Sequence, residues 1–155
     1  MLLYLVRHGE ANSELFDPSQ TLSEQGLRNV QKVAAHLARV KSPVEIIFHS
    51  PKLRAKQTAS VFSDYLRPLG GIFETDHLGP MDDPSEWERR LRDRNSNIML
   101  VGHLPYMEKL FSLLLCGFVD DHLVNFGNAA IVCLSREKNG TWVLRWMMDP
   151  TVVSQ

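Results

Sequence analysis

The sequence predicts an α/β fold in which a mainly parallel sheet is covered by helices and carries an antiparallel hairpin at its C-terminal end. Two observations favour this class. Short apolar runs of strand length alternate with longer segments in which apolar residues recur at helical spacing. The last two strand-like runs, residues 129–134 and 142–148, flank Asn139-Gly140, which predicts a type I′ hairpin turn.

The first β-α unit begins with the apolar run at residues 2–6, which we expect to form a buried strand. This run lacks the basic flank and the small-residue cleavage site of a signal peptide. A polar loop at 11–20 follows, and Thr21 and Glu24 have the spacing of a capping box at a helix start. The apolar stripe of this helix comprises Leu27, Val30, Val33, Ala34 and Leu37.

The second unit has its strand at residues 44–48. Ser50 is expected to cap the following helix, with Pro51 at the first helical position. Gly70-Gly71 is expected to end that helix. Its inner stripe comprises Ala55, Thr58, Ala59, Phe62 and Leu66.

The third unit is short, with a strand at residues 72–74 and a turn at 78–80. Ser85 and Glu88 have capping-box spacing and open a charged helix with Trp87 and Leu91 on one face.

The last third of the chain predicts one more unit and the hairpin. Residues 98–101 form the strand, and Pro105 starts a helix that Gly117 ends. In the hairpin, Trp142 and Trp146 are expected to pack on one face of a strand. The apolar stripe of the helix comprises Met107, Leu110, Phe111 and Leu114.

The composition is that of an ordinary soluble protein with a single domain over residues 1–155. The formal net charge is -1, so no global field attracts nucleic acid or an acidic membrane, and we expect neither as a partner. The apolar stretch 110–118 is too short for a membrane span, which needs about 20 residues. Cys116 and Cys133 show no Cys-x-x-Cys pairing, and we expect two buried thiols in a reducing cytoplasm.

Three apolar runs lead into side chains that bind anions. Arg7 and His8 directly follow the first run, His103 follows residues 98–101 after one glycine, and Arg54 comes within one helical turn of Ser50-Pro51. Chemistry in open α/β sheets lies at the carboxyl ends of the strands, so we expect these four side chains to converge. The sequence predicts an anion pocket with two guanidiniums and two imidazoles.

This set of residue types suits phosphoryl transfer. Guanidinium forks match two phosphate oxygens and stay charged, which suits Arg7 and Arg54. His8 is the candidate nucleophile, because a neutral imidazole has a lone pair near pH 7. Gly9 lets a bulky anion approach, and His103 would donate to the same group.

An alkoxide leaving group would also need an acid. The candidates are Glu10, beside the nucleophile, and Asp82, Asp83 or Glu86 after the third strand. We expect no metal and no cofactor, because the sequence has no His-x-x-x-His pair and no His/Cys cluster with ligand spacing.

Four motifs occur along the chain in this order: Arg7-His8-Gly9-Glu10-Ala11, Leu22-Ser23-x-x-Gly26, Ser50-Pro51-x-x-Arg54-Ala55-x-x-Thr58 and Val101-Gly102-His103-x-Pro105. With them the chain resembles the histidine phosphatase superfamily, also called phosphoglycerate mutase-like. Within that superfamily it is most similar to the small SixA-type phosphohistidine phosphatases.

The resemblance implies a three-layer α/β/α domain in which His8 is phosphorylated transiently while Arg7, Arg54 and His103 hold the phosphoryl group. Asn12 and Ser13 fall where loop residues of some members touch phosphate. Mutase and sugar-phosphatase members carry a long insertion with a catalytic glutamate after the third strand. Here that region, residues 76–83, is short.

The resemblance favours a phosphatase acting on phosphohistidine of a partner protein, either a phosphotransfer domain or a phosphocarrier. Phosphohistidine expels an imidazole, which leaves more readily than an alkoxide, and a pocket without an insertion admits a side chain of another protein. Two alternatives stay open. One is a small-molecule phosphomonoesterase that uses Glu10 or Asp82 as its acid, and the other is a catalytically idle phosphate-binding interaction module.

Overall fold

A computed structural model describes residues 1–120 and 122–154. The chain forms a six-stranded sheet with two helices packed on each face. The strands are β1 (Leu2–Arg7), β2 (Ile46–His49), β3 (Ile72–Glu74), β4 (Ile98–Gly102), β5 (Ile131–Arg136) and β6 (Trp142–Met148), and the helices are α1 (Glu24–Arg39), α2 (Leu53–Leu66), α3 (Ser85–Arg92) and α4 (Tyr106–Cys116).

The strand order is β3-β2-β4-β1-β5-β6. The first four are parallel, whereas β5 runs antiparallel to β1 and β6 antiparallel to β5. This confirms the predicted three-layer α/β/α fold with a mainly parallel sheet and an antiparallel C-terminal hairpin. The four parallel strands end at one edge of the sheet, which is therefore where their loops meet.

Strand β1 lies inside the sheet and is buried from both sides. Tyr4 and Val6 face a core shared with α1 and α2, while Leu3 and Leu5 face a second core shared with α3 and α4. The near-continuous apolar run at the N-terminus reflects this burial of both faces.

Helix α1 begins two residues later than a capping box at Thr21 would place it. Ser23 is the N-cap, and its Oγ accepts a hydrogen bond of 2.9 Å from the backbone N–H of Gly26. Thr21 instead donates its hydroxyl to the Asp17 carboxylate. The prediction for Thr21 is wrong because this local side-chain bond holds the residue in the preceding loop. Leu27 is exposed, so it does not belong to the buried stripe.

Helix α2 differs from the prediction at both ends. Its N-cap is Lys52 and not the predicted Ser50, whose hydroxyl hydrogen bonds to His103. The helix ends before Gly70, at Arg67, which adopts a left-handed conformation with φ 49°.

The predicted start of α3 is wrong, whereas the predicted limits of α4 are confirmed. Ser85 is the first residue of α3 and follows Pro84, so the predicted capping box there is wrong; its N–H donates to the Asp83 carboxylate. The predicted limits of α4 are confirmed, with Pro105 before the helix and Gly117 ending it in a left-handed conformation.

The β5-β6 connection is not a type I′ turn. That turn needs two residues with positive φ. Here only Gly140 is left-handed, with φ 87°, and a three-residue loop is closed by a bond from the Glu137 N–H to the Thr141 carbonyl. Hairpins of this length require one left-handed residue, which glycine supplies.

A β-bulge separates the two hairpin tryptophans. Cys133 pairs with Trp146 and Leu134 pairs with Leu144, which leaves Arg145 unpaired. Trp146 therefore packs on the α1 and α2 side, whereas Trp142 packs on the opposite core. The prediction of a shared face is wrong because one extra residue reverses the alternation of side chains.

Cys133 is buried in β5, as expected, but Cys116 is exposed at the C-terminal end of α4. Within residues 1–120 and 122–154, no helix is both long and apolar enough to span a membrane.

Candidate functional site

The two predicted site histidines meet at the carboxyl edge of the parallel strands. Arg7 pairs with Gly102 across β1 and β4, so the residue after each strand lies at the same level. The backbone N–H of His8 donates to the Gly102 carbonyl at 2.9 Å. The rings of His8 and His103 are 5.1 Å apart, measured between centroids.

The ring of His8 is held by the backbone of the next residue. Its Nδ1 lies 2.6 Å from the carbonyl oxygen of Gly9. A carbonyl oxygen can only accept, so Nδ1 carries the proton and the neutral ring has its lone pair on Nε2. Burial lowers the pKa of His8 from 6.5 to about 4, and the charges of Arg54 and Arg7 act in the same direction. The ring is therefore neutral at physiological pH.

Gly9 occupies a space with no room for a side chain. Its N–H donates to the Thr58 hydroxyl of α2 at 3.0 Å. A Cβ on this residue would lie 2.6 Å from the Val30 side chain of α1. Gly9 thus allows the backbone beside His8 to pack against both helices, and this packing positions the carbonyl that holds the ring.

Arg7 is anchored by the loop that precedes β5. Its Nη1 donates to the Phe126 carbonyl at 2.9 Å. Burial lowers the pKa of Arg7, and the nearby charge of Glu108 opposes that shift. Its Nε is buried and has no hydrogen-bond partner among the described residues.

Arg54 approaches the histidines from the first turn of α2. Its Nη1 lies 3.5 Å from the side-chain oxygen of Gln20, at the end of the loop after β1. The Arg54 charge lowers the pKa of both His8 and His103. The four predicted side chains therefore share one electrostatic environment, which favours an anion.

His103 is 1% exposed and is bonded through Nε2 to the Ser50 hydroxyl at 2.7 Å. Ser50 Oγ also accepts from the Lys52 N–H at 3.3 Å, and as a hydroxyl it can either donate to Nε2 or accept from it. The other ring nitrogen, Nδ1, is buried and has no hydrogen-bond partner among the described residues. Burial and the surrounding positive charges lower the pKa of His103 to about 3.

The structure holds the predicted acids in bonds to nearby groups. The exposed Glu10 carboxylate accepts from the Ser23 hydroxyl at 2.9 Å. The exposed Asp82 carboxylate accepts from the Gly79 N–H at 2.8 Å. Of the remaining acids, Asp83 accepts from the Ser85 N–H and Glu86 pairs with Arg89 and Arg90.

The two weaker loop candidates stabilise the loop after β1. The Asn12 amide donates to the Thr21 hydroxyl at 3.1 Å. The Ser13 hydroxyl accepts from the Leu15 N–H at 3.2 Å. Both bonds lie within the loop and stabilise its shape. A role for Asn12 or Ser13 in binding phosphate stays a prediction.

Four residues of the site were absent from the sequence prediction in this role. The sequence predicts Ser50 as a helix cap, although Ser50 follows β2 at the edge where the chemistry is expected. It predicts Thr58 as part of the inner stripe of α2. Gln20 and Lys52 carried no motif that distinguishes them from other polar loop residues. Among the described residues, no group of three or more His, Cys, Asp or Glu side chains could hold a metal ion.

Comparisons with known proteins agree with this geometry. The family model described as histidine phosphatase superfamily (branch 1) matches residues 3–78. The phosphohistidine phosphatase SixA of Escherichia coli (strain K12) is 25% identical over 97% of this chain and 94% of its own length. The solved structure of the protein histidine phosphatase SixA complexed with tungstate has a TM-score of 0.85, with 25% identity, 97% of this chain and 98% of that chain covered.

The fold is shared with a phosphatase of another kind. A phosphoserine phosphatase mutant from Entamoeba histolytica, in complex with phosphoserine, has a TM-score of 0.72 at 18% identity. The match covers 94% of this chain and 95% of that one.

Proposed function

We propose that this chain is a phosphatase of the histidine phosphatase superfamily and that it hydrolyses phosphohistidine on a partner protein through a transient phosphohistidine at its own His8. The observation that carries this proposal is the 2.6 Å contact of His8 Nδ1 with the Gly9 carbonyl. It leaves the Nε2 lone pair available in a neutral ring beside two guanidiniums.

In the first step, His8 Nε2 attacks the phosphorus of the substrate and the bond from phosphorus to the substrate imidazole breaks. The departing nitrogen keeps the electron pair and takes a proton from solvent. In the second step, water attacks the phosphorus, gives up a proton, and releases inorganic phosphate and neutral His8. In both steps Arg7, Arg54 and His103 stabilise the negative charge of the phosphoryl group.

The carboxylates support phosphohistidine as the substrate. Glu10 and Asp82 are exposed and bonded to Ser23 and Gly79, respectively. An alkoxide leaving group requires a proton donor at the reacting oxygen, whereas an imidazole leaves with much less assistance. The site is thus equipped for charge stabilisation and for attack by a nucleophile.

The test is phosphate release from a phosphotransfer domain or phosphocarrier carrying labelled phosphohistidine, measured beside an alkyl phosphate and phosphoserine. We expect rapid release from the phosphohistidine proteins and slow release from both esters. Brisk hydrolysis of the esters without turnover of the phosphohistidine proteins would overturn the proposal.

The fold shared with the phosphoserine phosphatase supports a second candidate function, that of a small-molecule phosphomonoesterase. That activity would need an acid, and Glu10→Gln and Asp82→Asn test the two predicted ones. A steep loss of ester hydrolysis in either variant supports this candidate, whereas unchanged rates in both count against it.

A further inference from the structure

Two apolar side chains in the loop after His8 are almost fully exposed to solvent. Leu15 and Phe16 are 94% and 90% exposed, at the tip of the loop between β1 and α1. The loop leaves β1 directly after His8, and its Gln20 contacts Arg54. Isolated exposed apolar residues are common, but two adjacent ones in a loop that also contacts a site residue are typical of a binding surface.

Hydrogen bonds hold the backbone of this loop in a defined shape. The Asp17 carboxylate accepts hydrogen bonds from the N–H groups of Ser19 and Thr21, each at 3.0 Å, and from the Thr21 hydroxyl. The Ser13 carbonyl accepts from the N–H groups of Phe16 and Asp17. A loop that is ordered before binding loses less conformational entropy when a partner docks.

A third apolar side chain lies at the same edge on the other side of the sheet. Met81 is 81% exposed in the loop between β3 and α3. That loop packs against the end of β4, since a Cβ on Gly102 would lie 3.1 Å from the Leu78 carbonyl oxygen. The β1-α1 loop leads to the helix layer on one face and the β3-α3 loop to the layer on the other. The histidine pair lies at the sheet edge between these loops.

The centre of this surface is positively charged. Arg7 and Arg54 lower the pKa of both histidines, and Lys52 adds to the effect at His103. A cationic centre with apolar residues on both sides complements a phosphorylated side chain on a folded protein, with apolar residues around it. A free small phosphate ester offers no apolar protein surface for these flanks to bind.

From this arrangement we infer that Leu15, Phe16 and Met81 form a docking surface for a folded protein that presents its phosphohistidine to His8. The inference rests on the proposed function and adds the part of this chain that recognises the partner. It separates the two tasks of the site: the cations bind the phosphoryl group, and the apolar flanks bind the protein that carries it.

The test compares two substrates that share their reacting group. Wild type and the Leu15→Ser/Phe16→Ser double variant are assayed on a phosphorylated phosphotransfer domain and on free phosphohistidine. We expect kcat/KM for the protein substrate to fall about tenfold or more, the scale of losing interface anchors. We expect the value for the free amino acid to change by less than about twofold, because the exposed loop tip does not touch the small substrate. Met81→Ser should show the same pattern with a smaller loss.

Leu69→Ser is the matched control. Leu69 is fully exposed in the connection between α2 and β3, which lies at the opposite edge of the sheet. Its replacement should leave both substrates unaffected, and an equal loss in this control would overturn the inference. So would unchanged kinetics in the double variant, or equal losses on both substrates.

Two further readouts separate this inference from neighbouring hypotheses. If wild type turns over neither phosphohistidine substrate, the proposed function fails before docking is tested. If wild type is a dimer and the double variant a monomer by light scattering, the surface is a self-interface, and docking of a foreign protein is overturned.

Discussion

The ends of β1 and β4 bring two histidines within 5.1 Å of each other but hold them in different ways. His8 donates to a backbone carbonyl, an acceptor that cannot change its role. His103 is bonded to the Ser50 hydroxyl, which can donate or accept. The first arrangement keeps a lone pair in one place, as a nucleophile requires. The second lets the ring be neutral or charged without losing its partner, which suits a group that stabilises an anion.

Replacing His8 tests this difference with the largest expected effect. His8→Ala removes the nucleophile, and we expect turnover to fall by about four to six orders of magnitude. Rapid quench with labelled substrate should show acid-labile, base-stable label on wild type and none on the variant. His36→Ala in α1 serves as a control that should keep both turnover and label. Absence of label and of turnover in wild type across a broad substrate panel would instead support the binding-module interpretation.

Replacing His103 should have a smaller effect of another kind. His103→Ala removes one preorganised donor while the nucleophile stays, so we expect turnover to fall about 10²–10³-fold. Label should still accumulate on His8, only more slowly, in single-turnover measurements. Complete loss of label in a folded His103→Ala variant would mean that the two histidines share the nucleophilic role.

Ser50 sharpens the comparison because it touches only one of the rings. Ser50→Ala removes the partner of His103 Nε2, and we expect about a tenfold loss of turnover, near the net value of one hydrogen bond. The ¹⁵N NMR signals of His103 should report a changed tautomer population, whereas those of His8 should not move. Ser60→Ala, which replaces an exposed serine of the following helix α2, is the matched control. An unchanged His103 tautomer would contradict the positioning role of Ser50.

The smallest expected effect near neutral pH is the change in the free energy of unfolding with pH. Folding lowers the pKa of His8 from 6.5 to about 4 and that of His103 to about 3. The folded protein then binds fewer protons than the unfolded chain, so the free energy of unfolding should decrease as pH falls from 6.5 towards those values. Above pH 6.5 both rings are neutral in the folded and in the unfolded chain, so they cause no further change in the free energy of unfolding.

NMR titration of both rings, together with denaturant unfolding at several pH values, measures these shifts. Inorganic phosphate should raise both histidine pKa values, because an anion favours the charged imidazolium. Ring titration near pH 6.5 in the free protein would contradict the burial of the pair.

Functional residues of open α/β sheets lie at the carboxyl ends of the strands, and this explains which parts of the site the sequence revealed. His8, Arg7 and His103 directly follow apolar runs or lie at their ends, so their convergence required only that β1 and β4 be parallel neighbours. Arg54 followed from its position one turn into the next helix. Ser50 was missed because a serine before proline is typical of a helix cap, and only the packed structure shows its bond to His103.

Local patterns were less reliable where a tertiary or loop contact competed with them. Thr21 has the sequence of a cap but bonds to Asp17, and Ser23 caps α1 instead. The spacing of Trp142 and Trp146 predicted one shared face, which the bulge at Arg145 divides between two cores.

By itself, the sequence determined the α/β class, the edge of the sheet that carries the chemistry, and the residue types available there. These depend on periodicity and on chain order, which are local properties. The tertiary structure alone decided which ring nitrogen of His8 is free, which hydroxyl holds His103, and where Glu10 and Asp82 are bonded. The bond between Ser50 and His103 joins residues far apart in the chain. The Gly9 backbone that holds the His8 ring is positioned by packing against Val30 and Thr58, which are also distant in the chain.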